Sequence, residues 1–363
     1  MYEPSSQKNY NIEPSISTSY EIGTEFRLFN NRLWGDFNYY TRDDKDQIIS
    51  VTSAPQSGYS TRKMNAGLIR NRGVELSLGG MPVSTKNWKW EMNFNIAKNS
   101  NKLVELADGV DSYSIYWTSF TTRLYNYAMV GKSLGVITGN TWERDDNGNI
   151  IFHELSASQK ALYGGEYVPT YNQNTLDELG NFHPDFTGGF NTSISFKNFR
   201  LSANIDFSVG GQIVSYTNMW GSSSGILDKT AELNDRGVNV REPVSKGGGI
   251  HMTGVDQNGN KVDTYVNAKL YYTTASRVWE EWVYDRTYVK LREVSLSYVF
   301  PSQTLKKLNI GLSRASVAIN ASNPWLIYSA CPNVDVSEIG MGYFEGGNAA
   351  ATRSIGFTVN LAF

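Results

Sequence analysis

The sequence contains no long apolar run, and this excludes one way of crossing a membrane. Only 40% of its 363 residues are hydrophobic, and no apolar stretch approaches the roughly 18 residues that a transmembrane helix needs. A membrane barrel is not excluded, because its strands present an apolar side chain only at every second position.

Three further absences narrow the possible functions. The single cysteine, Cys331, cannot form an intramolecular disulfide. The net charge of -2 and the pI near 6.0 leave no basic excess, so nucleic acid is not expected as a partner. Residues 1–8 have neither the basic nor the apolar region of a signal peptide, so either the protein is not exported or the sequence is a fragment.

Aromatic residues and glycine are abundant, and the last stretch of the chain shows how the apolar residues are arranged. Side chains alternate between the two faces of a strand. Residues 353–363 put Gly356, Thr358, Asn360 and Ala362 on one face and Ile355, Phe357, Val359, Leu361 and Phe363 on the other. A strand of about ten residues with one apolar face is long enough to cross a bilayer at a tilt.

The same alternation predicts eight further strands. They are residues 20–28, 33–41, 73–78, 88–96, 186–196, 199–209, 288–300 and 315–321. The alternation breaks at Arg292 and Glu293, where either a β-bulge lies or the strand leaves the apolar layer.

The connections between these nine strands alternate in length. Short turns are predicted at 30–31, 84–87, 197–198 and 301–308, and long loops at 42–66, 99–185, 216–287 and 322–353. In an up-and-down sheet all long loops then lie at one end, as in outer-membrane barrels. Trp34, Trp88 and Trp90 flank short turns, where an interfacial aromatic girdle is expected.

We therefore predict an all-β protein, a transmembrane up-and-down antiparallel β-barrel with long extracellular loops. A soluble sandwich also alternates, but it has no reason to gather its long loops at one end. Nine strands cannot close a barrel, since bacterial single-chain barrels have even strand numbers and an open edge leaves backbone groups unpaired in lipid. More strands are expected upstream.

Several stretches resemble the SusC/RagA class of TonB-dependent outer-membrane transporters. They are residues 19–33, 65–76 and 288–298, Asn323-Pro324-Trp325 and the terminal strand. The resemblance implies a 22-stranded barrel of which residues 1–363 supply the C-terminal portion, without the signal peptide, TonB box, N-terminal domain or plug. The sequence departs from the class at two positions. Members of the class often have Asn-Leu-Trp where this sequence has Asn323-Pro324-Trp325, and Asp-Pro-Glu where it has Val334-Asp335-Val336.

The resemblance also implies a function, a location and partners. It implies uptake of glycans or oligopeptides across the cell outer membrane, under a SusD-like surface lipoprotein. TonB would act through the N-terminal parts, so this portion is not expected to transport alone. The barrel-assembly machinery would recognise the terminal Phe363, and outer-membrane lipid would surround the apolar face.

Two groups of residues are candidates for ligand contact. The polar strand face is expected to line the lumen or contact the plug, and it includes Glu21, Glu25, Arg27, Asp36, Glu75, Lys89, Glu91, Arg200, Asp206 and Glu293. The loop aromatics Tyr113, Tyr116, Trp117, Trp142 and Trp220 are possible substrate or lid contacts. They could stack on sugar rings or pack against a peptide, or build the small cores that long loops need.

No pattern indicates a catalytic, cofactor or metal site. Asp145–Asn149 resembles a calcium loop, but the sixth and twelfth positions are Ile150 and Ser156 instead of Gly and Glu. A hairpin turn on Asn147-Gly148 is the favoured interpretation, and residues 256–260 are interpreted in the same way. His153, His183 and His251 lack metal-ligand spacing.

Two alternatives to the importer remain open. An outer-membrane enzyme, such as a barrel protease or lipase, would gather a nucleophile or a carboxylate pair at the strand tops. An adhesin or other binding barrel would use the loops without translocation. A plug and a TonB box elsewhere in the gene would distinguish the importer from the adhesin.

Overall fold

The computed structural model describes residues 6–52, 55–107, 109–118, 122–174, 176–308, 311–339, 343–346 and 351–363. The first strands are β1 (Ser6–Gln7), β2 (Ile16–Leu28), β3 (Leu33–Thr52), β4 (Thr61–Ser84) and β5 (Trp88–Glu105). Then come β6 (Ser112–Thr118), β7 (Leu124–Met129), β8 (Val136–Gly139), β9 (Ile151–Glu154), helix α1 (Ala157–Tyr163), β10 (Tyr167–Pro169) and β11 (Asp177–Asn181).

The second half continues with β12 (Phe186–Phe196), β13 (Phe199–Val209), β14 (Gln212–Ser215), helix α2 (Tyr216–Ser223), β15 (Ile250–Asp256), β16 (Lys261–Val266) and helix α3 (Ala268–Ala275). The last elements are β17 (Val283–Asp285), β18 (Tyr288–Val299), helix α4 (Ser302–Leu308), β19 (Arg314–Ser329), β20 (Phe344–Glu345) and β21 (Ser354–Ala362). Short 3-10 turns lie at Pro55–Ser57, Asp228–Ala231, Val244–Lys246, Trp279–Trp282 and Val336–Glu338.

One large sheet is built as the alternation predicts. Its order is β2-β3-β4-β5-β12-β13-β18-β19-β21, every neighbouring pair is antiparallel, and the short β1 lies beside β4. The nine predicted strands and their up-and-down order are confirmed. Within the described part of the chain, the edge strands β2 and β21 each have one neighbour.

The two faces of this sheet differ sharply in polarity. The polar candidates share one face: the aligned row Glu25, Asp36, Ser77, Asn95, Gly189, Asp206 and Lys290 runs across seven strands. The opposite face carries the aligned row Trp90, Ile194, Leu201, Leu296, Ile319 and Phe357.

The apolar face is open to its surroundings. Leu296 and Ile319 are each 48% exposed and Phe357 is 79% exposed. Exposed apolar patches above a few hundred Å² are rare on proteins in water. A face that is apolar across every strand is therefore suited to lipid.

Strand β18 keeps its apolar residues on one face because it contains a bulge at Arg292. On the neighbouring β13, Asn204 pairs with Glu293 and Ile205 pairs with Leu291, so Arg292 has no counterpart there. The extra residue reverses the alternation, and Leu291 above it and Leu296 below it both face the apolar side. Of the two explanations that the sequence leaves open for the break at Arg292 and Glu293, the structure shows the bulge.

The facing strand β19 is also irregular at this height. Leu291 pairs with Trp325 and Glu293 with Ser322, which leaves Asn323 and Pro324 between the two pairs. Asn323 has a φ of 49°, which asparagine tolerates better than most residues. Proline has no N–H to donate and suits such a bulge. The motif Asn323-Pro324-Trp325 therefore forms the irregularity in β19, with Asn323 and Pro324 unpaired and Trp325 at the point where pairing resumes.

Aromatic side chains mark both ends of the apolar face. Near the short turns Trp88 is half-exposed and Phe199 packs on Tyr298 with ring centroids 4.7 Å apart. Near the long connections Trp325 and Tyr328 are exposed. Tyr328 pairs with Val289 on β18, and Val289 lies nine residues before Tyr298 on the same strand. Nine residues span about 30 Å, or roughly 20–25 Å at a barrel tilt, which matches the apolar band of a membrane barrel.

The girdle prediction fails for Trp34. This residue pairs with Arg27 on the polar face, and its indole lies directly over Gly79. Proximity to a turn does not determine the face of a strand residue, whereas the position within the alternation does. The turn itself occupies residues 29–32 instead of 30–31, with positive φ at Phe29 and Asn30 as well as at Asn31.

The predicted loop at 42–66 is mostly strand. β3 and β4 continue upward together, and Gln47 pairs with Ala66 beyond the predicted strand ends. The charges that suggested a loop pair across the hairpin, where Arg70 donates two hydrogen bonds of 2.7 Å to the Asp43 carboxylate. Charged side chains are tolerated there because both faces can be solvated beyond the lipid.

Other connections also differ from the prediction. The connection predicted at 99–185 starts after Glu105, because β5 continues past residue 98. The connection predicted as a short turn at 301–308 contains helix α4, and the last long connection starts after Ser329 because β19 continues past residue 321. The long connections 106–185 and 210–287 fold into three smaller sheets, of orders β10-β9-β15-β16, β11-β8-β7-β6 and β17-β14-β20, the last of which takes in β20 from the final connection. None of the helices in the described residues has both the length and the apolarity needed to span a membrane.

Candidate ligand-binding site

The long connections pack on one another around a common apolar core. Its buried members are Leu124, Ile137, Trp142, Val214, Tyr216, Met219, Val240, Ala268, Tyr272, Ala275, Val278, Trp279, Trp282 and Tyr343. All three long connections contribute to this set. Trp279 is fully buried, with its ring centroid 5.2 Å from that of Tyr216. The loops therefore form one packed body.

Trp142 belongs to this core. It is 2% exposed, its Nε1 donates a hydrogen bond of 2.6 Å to Glu281, and its ring stacks on Tyr271. Tyr113 on β6 is half-buried, and burial raises the pKa of its hydroxyl. The backbone of Trp117 pairs with Tyr125, but its side chain lies outside the described part of the structure.

Tyr116 and Trp220, from two different connections, meet at one cavity. Its volume is about 630 Å³, and its other lining residues are Thr118, Tyr216, Thr217, Phe344 and Gly346. Tyr116 and Trp220 are each about half-exposed. This lining contains no charged side chain and offers aromatic surface beside two threonine hydroxyls. We refer to it as the aromatic cavity.

A charged cluster ties the last connection to the polar face of the sheet. The Lys290 ammonium, which is almost fully buried, lies 2.7 Å from both Asp335 and Glu338. Arg292 contacts Glu338 and lies 2.9 Å from Asp206 on β13. We refer to Lys290, Arg292, Asp206, Asp335 and Glu338 as the ionic latch.

The latch keeps its two loop carboxylates ionised. Burial alone would raise the pKa of Asp335, but hydrogen bonds from Lys290 and Ser337 outweigh burial and hold this pKa below its usual value. A hydrogen bond from Lys290, assisted by Arg292, lowers the pKa of Glu338. Both carboxylates therefore carry charge at neutral pH.

Three residues of the latch, Lys290, Asp335 and Glu338, line one wall of a second cavity, of about 400 Å³. Its polar lining includes Asn323, Asn333, Glu345 and Arg353, and Leu326 and Val334 contribute apolar surface. Thr217 lines this cavity and the aromatic cavity, and the consecutive residues Glu345 and Gly346 line one each. The two cavities therefore adjoin, and we refer to this second one as the charged cavity.

Sequence reasoning missed the ionic latch. Lys290 and Arg292 were part of a strand pattern, and nothing in one sequence pairs them with carboxylates more than 40 residues away. One feature of the sequence could have indicated the latch. The alternation breaks at Arg292, and a charged side chain at a bulge on the polar face needs an oppositely charged partner.

The two calcium-like loops are tight turns, as the sequence predicts. One oxygen of Asp145 accepts hydrogen bonds from the backbone N–H groups of Asn147 and Asn149, at 2.9 and 2.8 Å, and Gly148 has a φ of 83°. Asp256 makes the same contacts with Asn258 and Asn260, at 2.8 Å each. The carboxylate oxygens therefore accept hydrogen bonds from the backbone of their own turns and stabilise those turns.

Both ring nitrogens of one histidine lie against carboxylates. His251 places its ring nitrogens 2.9 and 2.8 Å from carboxylate oxygens of Asp235 and Asp263. In the part of the chain that the structure describes, no three His, Cys, Asp or Glu side chains are grouped as metal ligands.

Cys331 is expected to be inert in the folded protein. It is 1% exposed in a small core with Ile213 and Val336, and burial raises its pKa to about 12. At pH 8 the fraction of molecules in which Cys331 is a reactive thiolate is then on the order of one in ten thousand. Maleimide labelling, followed by mass spectrometry, should be more than about 1,000-fold slower for the native protein than for the denatured protein. Rapid native labelling would contradict this burial.

The sequence and the fold both match known proteins. Residues 1–212 match the family model described as TonB dependent receptor-like, beta-barrel. TonB-dependent receptor P3 of Formosa agariphila is 28% identical over 335 residues, which cover 90% of this chain and 31% of that protein. TonB-dependent receptor SusC of Bacteroides thetaiotaomicron is 30% identical over 214 residues, which cover 56% of this chain and 20% of that protein.

Solved structures show the same fold. The RagAB peptide importer in its closed-closed state aligns with a TM-score of 0.68 at 19% identity, over 96% of this chain and 35% of that one. This chain thus spans about a third of the length of such relatives. These matches confirm the resemblance to the SusC/RagA class. The chain belongs to the TonB-dependent receptor-like β-barrel family.

Proposed function

We propose that this chain forms part of a TonB-dependent importer in the cell outer membrane that takes up glycans or oligopeptides with a SusD-like surface lipoprotein. The observation that carries the proposal is the aromatic cavity, in which two exposed aromatic residues from separate loops meet above a sheet whose outer face suits lipid. The named relatives are receptors, and RagAB is described as a peptide importer.

We further propose that residues 1–363 are the C-terminal portion of the barrel. The two edge strands would pair with strands of the same protein outside this sequence, and a plug and a TonB-contacting segment would complete the transporter. The exposed Phe363, at the end of β21, would present the aromatic residue that the barrel-assembly machinery recognises.

Tyr116 and Trp220 are the residues that we assign to ligand contact. Aromatic residues in a desolvated pocket dominate many binding sites. Trp142 is assigned to packing, because its ring is covered on all sides by the loop core.

The test is uptake of labelled oligosaccharides and oligopeptides by cells that carry the complete transporter. Replacing Tyr116 and Trp220 together with alanine should reduce the apparent affinity for the transported ligand by about tenfold or more. Tyr10, which is 91% exposed, provides a matched control as Tyr10→Ala. TonB-dependent uptake that is insensitive to the double variant would refute the assigned site, and ligand binding without any uptake would favour an adhesin.

A further inference from the structure

The charged cavity contains both signs of charge, and most of that charge is already matched. Asp335 and Glu338 face the Lys290 ammonium at 2.7 Å each, and Glu338 also contacts Arg292. These carboxylates and cations therefore have little left to offer a ligand.

The third carboxylate of the cavity is also satisfied. Glu345 is 3% exposed and accepts hydrogen bonds from the Ser215 hydroxyl, from the Thr217 N–H at 2.9 Å and from the Thr217 hydroxyl at 2.8 Å. These contacts hold the carboxylate at the start of helix α2, where N–H groups favour an anion. Its two oxygens are both used.

Arg353 is the exception. It lines the charged cavity just before β21, its side chain is exposed, and it forms no ion pair with any residue that the structure describes. The amide side chains of Asn323 and Asn333 line the same cavity. A guanidinium presents a planar set of donors that matches a carboxylate in two-point contact.

We propose that the two adjoining cavities bind one ligand, and that Arg353 selects ligands carrying a carboxylate while the aromatic cavity holds an uncharged ring or apolar group. This inference rests on the proposed importer function and adds a specificity-determining residue to it. The carboxylate could belong to an acidic sugar or to the end of a peptide. Both sources share the chemistry that Arg353 recognises.

The experiment measures binding by titration calorimetry with the complete transporter purified in detergent. Two ligand pairs are compared: an oligouronate and its neutral reduced counterpart, and a peptide acid and its C-terminal amide. In the pair that binds, the wild-type protein should prefer the acid by about 10- to 100-fold. Arg353→Gln should abolish this preference and change binding of the neutral partner by less than about twofold.

Two further variants control for the position and the geometry of the charge. Arg314→Gln removes an exposed arginine at the opposite end of the strands and should leave the preference intact. Arg353→Lys keeps the charge without the planar fork and should restore part of the preference.

The failures of the two proposals are distinguishable. Equal binding of acid and neutral ligands by the wild type, or an acid preference that survives Arg353→Gln, overturns the role of Arg353 while uptake of those ligands still supports an importer. Absence of both binding and uptake for every ligand overturns the importer and the inference together.

Discussion

Replacing Asp335 and Glu338 with Asn and Gln should free the last long connection and speed amide exchange in residues 330–339 by about 100- to 5,000-fold. The double variant leaves the Lys290 ammonium almost fully buried and without its two carboxylates. Removing one side of a buried ion pair costs about 3–5 kcal/mol, and each 1.36 kcal/mol is a factor of ten. Hydrogen-exchange mass spectrometry of the purified protein measures the effect.

The matched control is Lys290→Met. It removes the buried charge, and it leaves Asp335 and Glu338 partly exposed, with Arg292 still against Glu338. Exchange in the same segment should rise by no more than about tenfold, because water can solvate the two partly exposed carboxylates that are left without Lys290, whereas it cannot solvate the buried ammonium that the double variant leaves unpaired. Equal exchange in the double variant and the wild type would show that the latch does not hold the loop.

Acid should release the same segment. The folded-state pKa values of Asp335 and Glu338 lie below their ordinary values, so their stabilisation is present above the ordinary carboxyl range and is lost as pH falls through the lowered values. Protection of residues 330–339, corrected for intrinsic exchange, should be constant from pH 8 to about pH 5 and fall below about pH 4.

The second large effect is expected at Trp142. Replacement by alanine should destabilise the loop body by about 3–5 kcal/mol, since it removes a buried indole and leaves a cavity. The hydrogen bond to Glu281 and the stacking on Tyr271 are lost with it. Limited proteolysis of the connections 106–185 and 210–287, together with near-ultraviolet circular dichroism, reports the loss.

Trp220→Ala is the matched comparison, because this tryptophan is 45% exposed at the aromatic cavity. We expect it to weaken ligand binding and to leave protease resistance close to that of the wild type. Trp142→Phe keeps most of the packing volume and should lose about 1 kcal/mol from the hydrogen bond alone. A Trp142→Ala protein with unchanged protease resistance would place the residue outside the loop core.

The strands were predictable because lipid imposes a simple rule on each of them. Every second residue must be apolar, and this pattern is readable in one sequence even though each strand is short, as at Trp88 to Ile96. The same rule fails outside the lipid. Residues 42–52 still form strand there, but neither face has to be apolar, so the charged run looked like a loop.

The site could be predicted only in part, because it depends on contacts between distant segments. Exposed aromatic residues in long loops were visible as candidates, yet the sequence could not separate Trp142 in the core from Trp220 at a cavity. The pairing of Lys290 with Asp335 depends on how the last connection folds back against the sheet, which has no local signal. The bulge at Arg292 was visible only as a break in the pattern.

The proposed barrel places its long connections at the cell surface and its short turns on the inner side of the outer membrane. Labelling one residue at each end of the sheet tests this placement most directly. Asn147 is exposed in a long connection and Lys86 is exposed in a short turn, and each is replaced with cysteine in the complete protein on intact cells. The buried thiol of Cys331 supplies little background. A membrane-impermeant maleimide should label Asn147→Cys on intact cells and Lys86→Cys only after the outer membrane is permeabilised. Labelling of Lys86→Cys on intact cells would contradict a barrel with all its long connections at the cell surface.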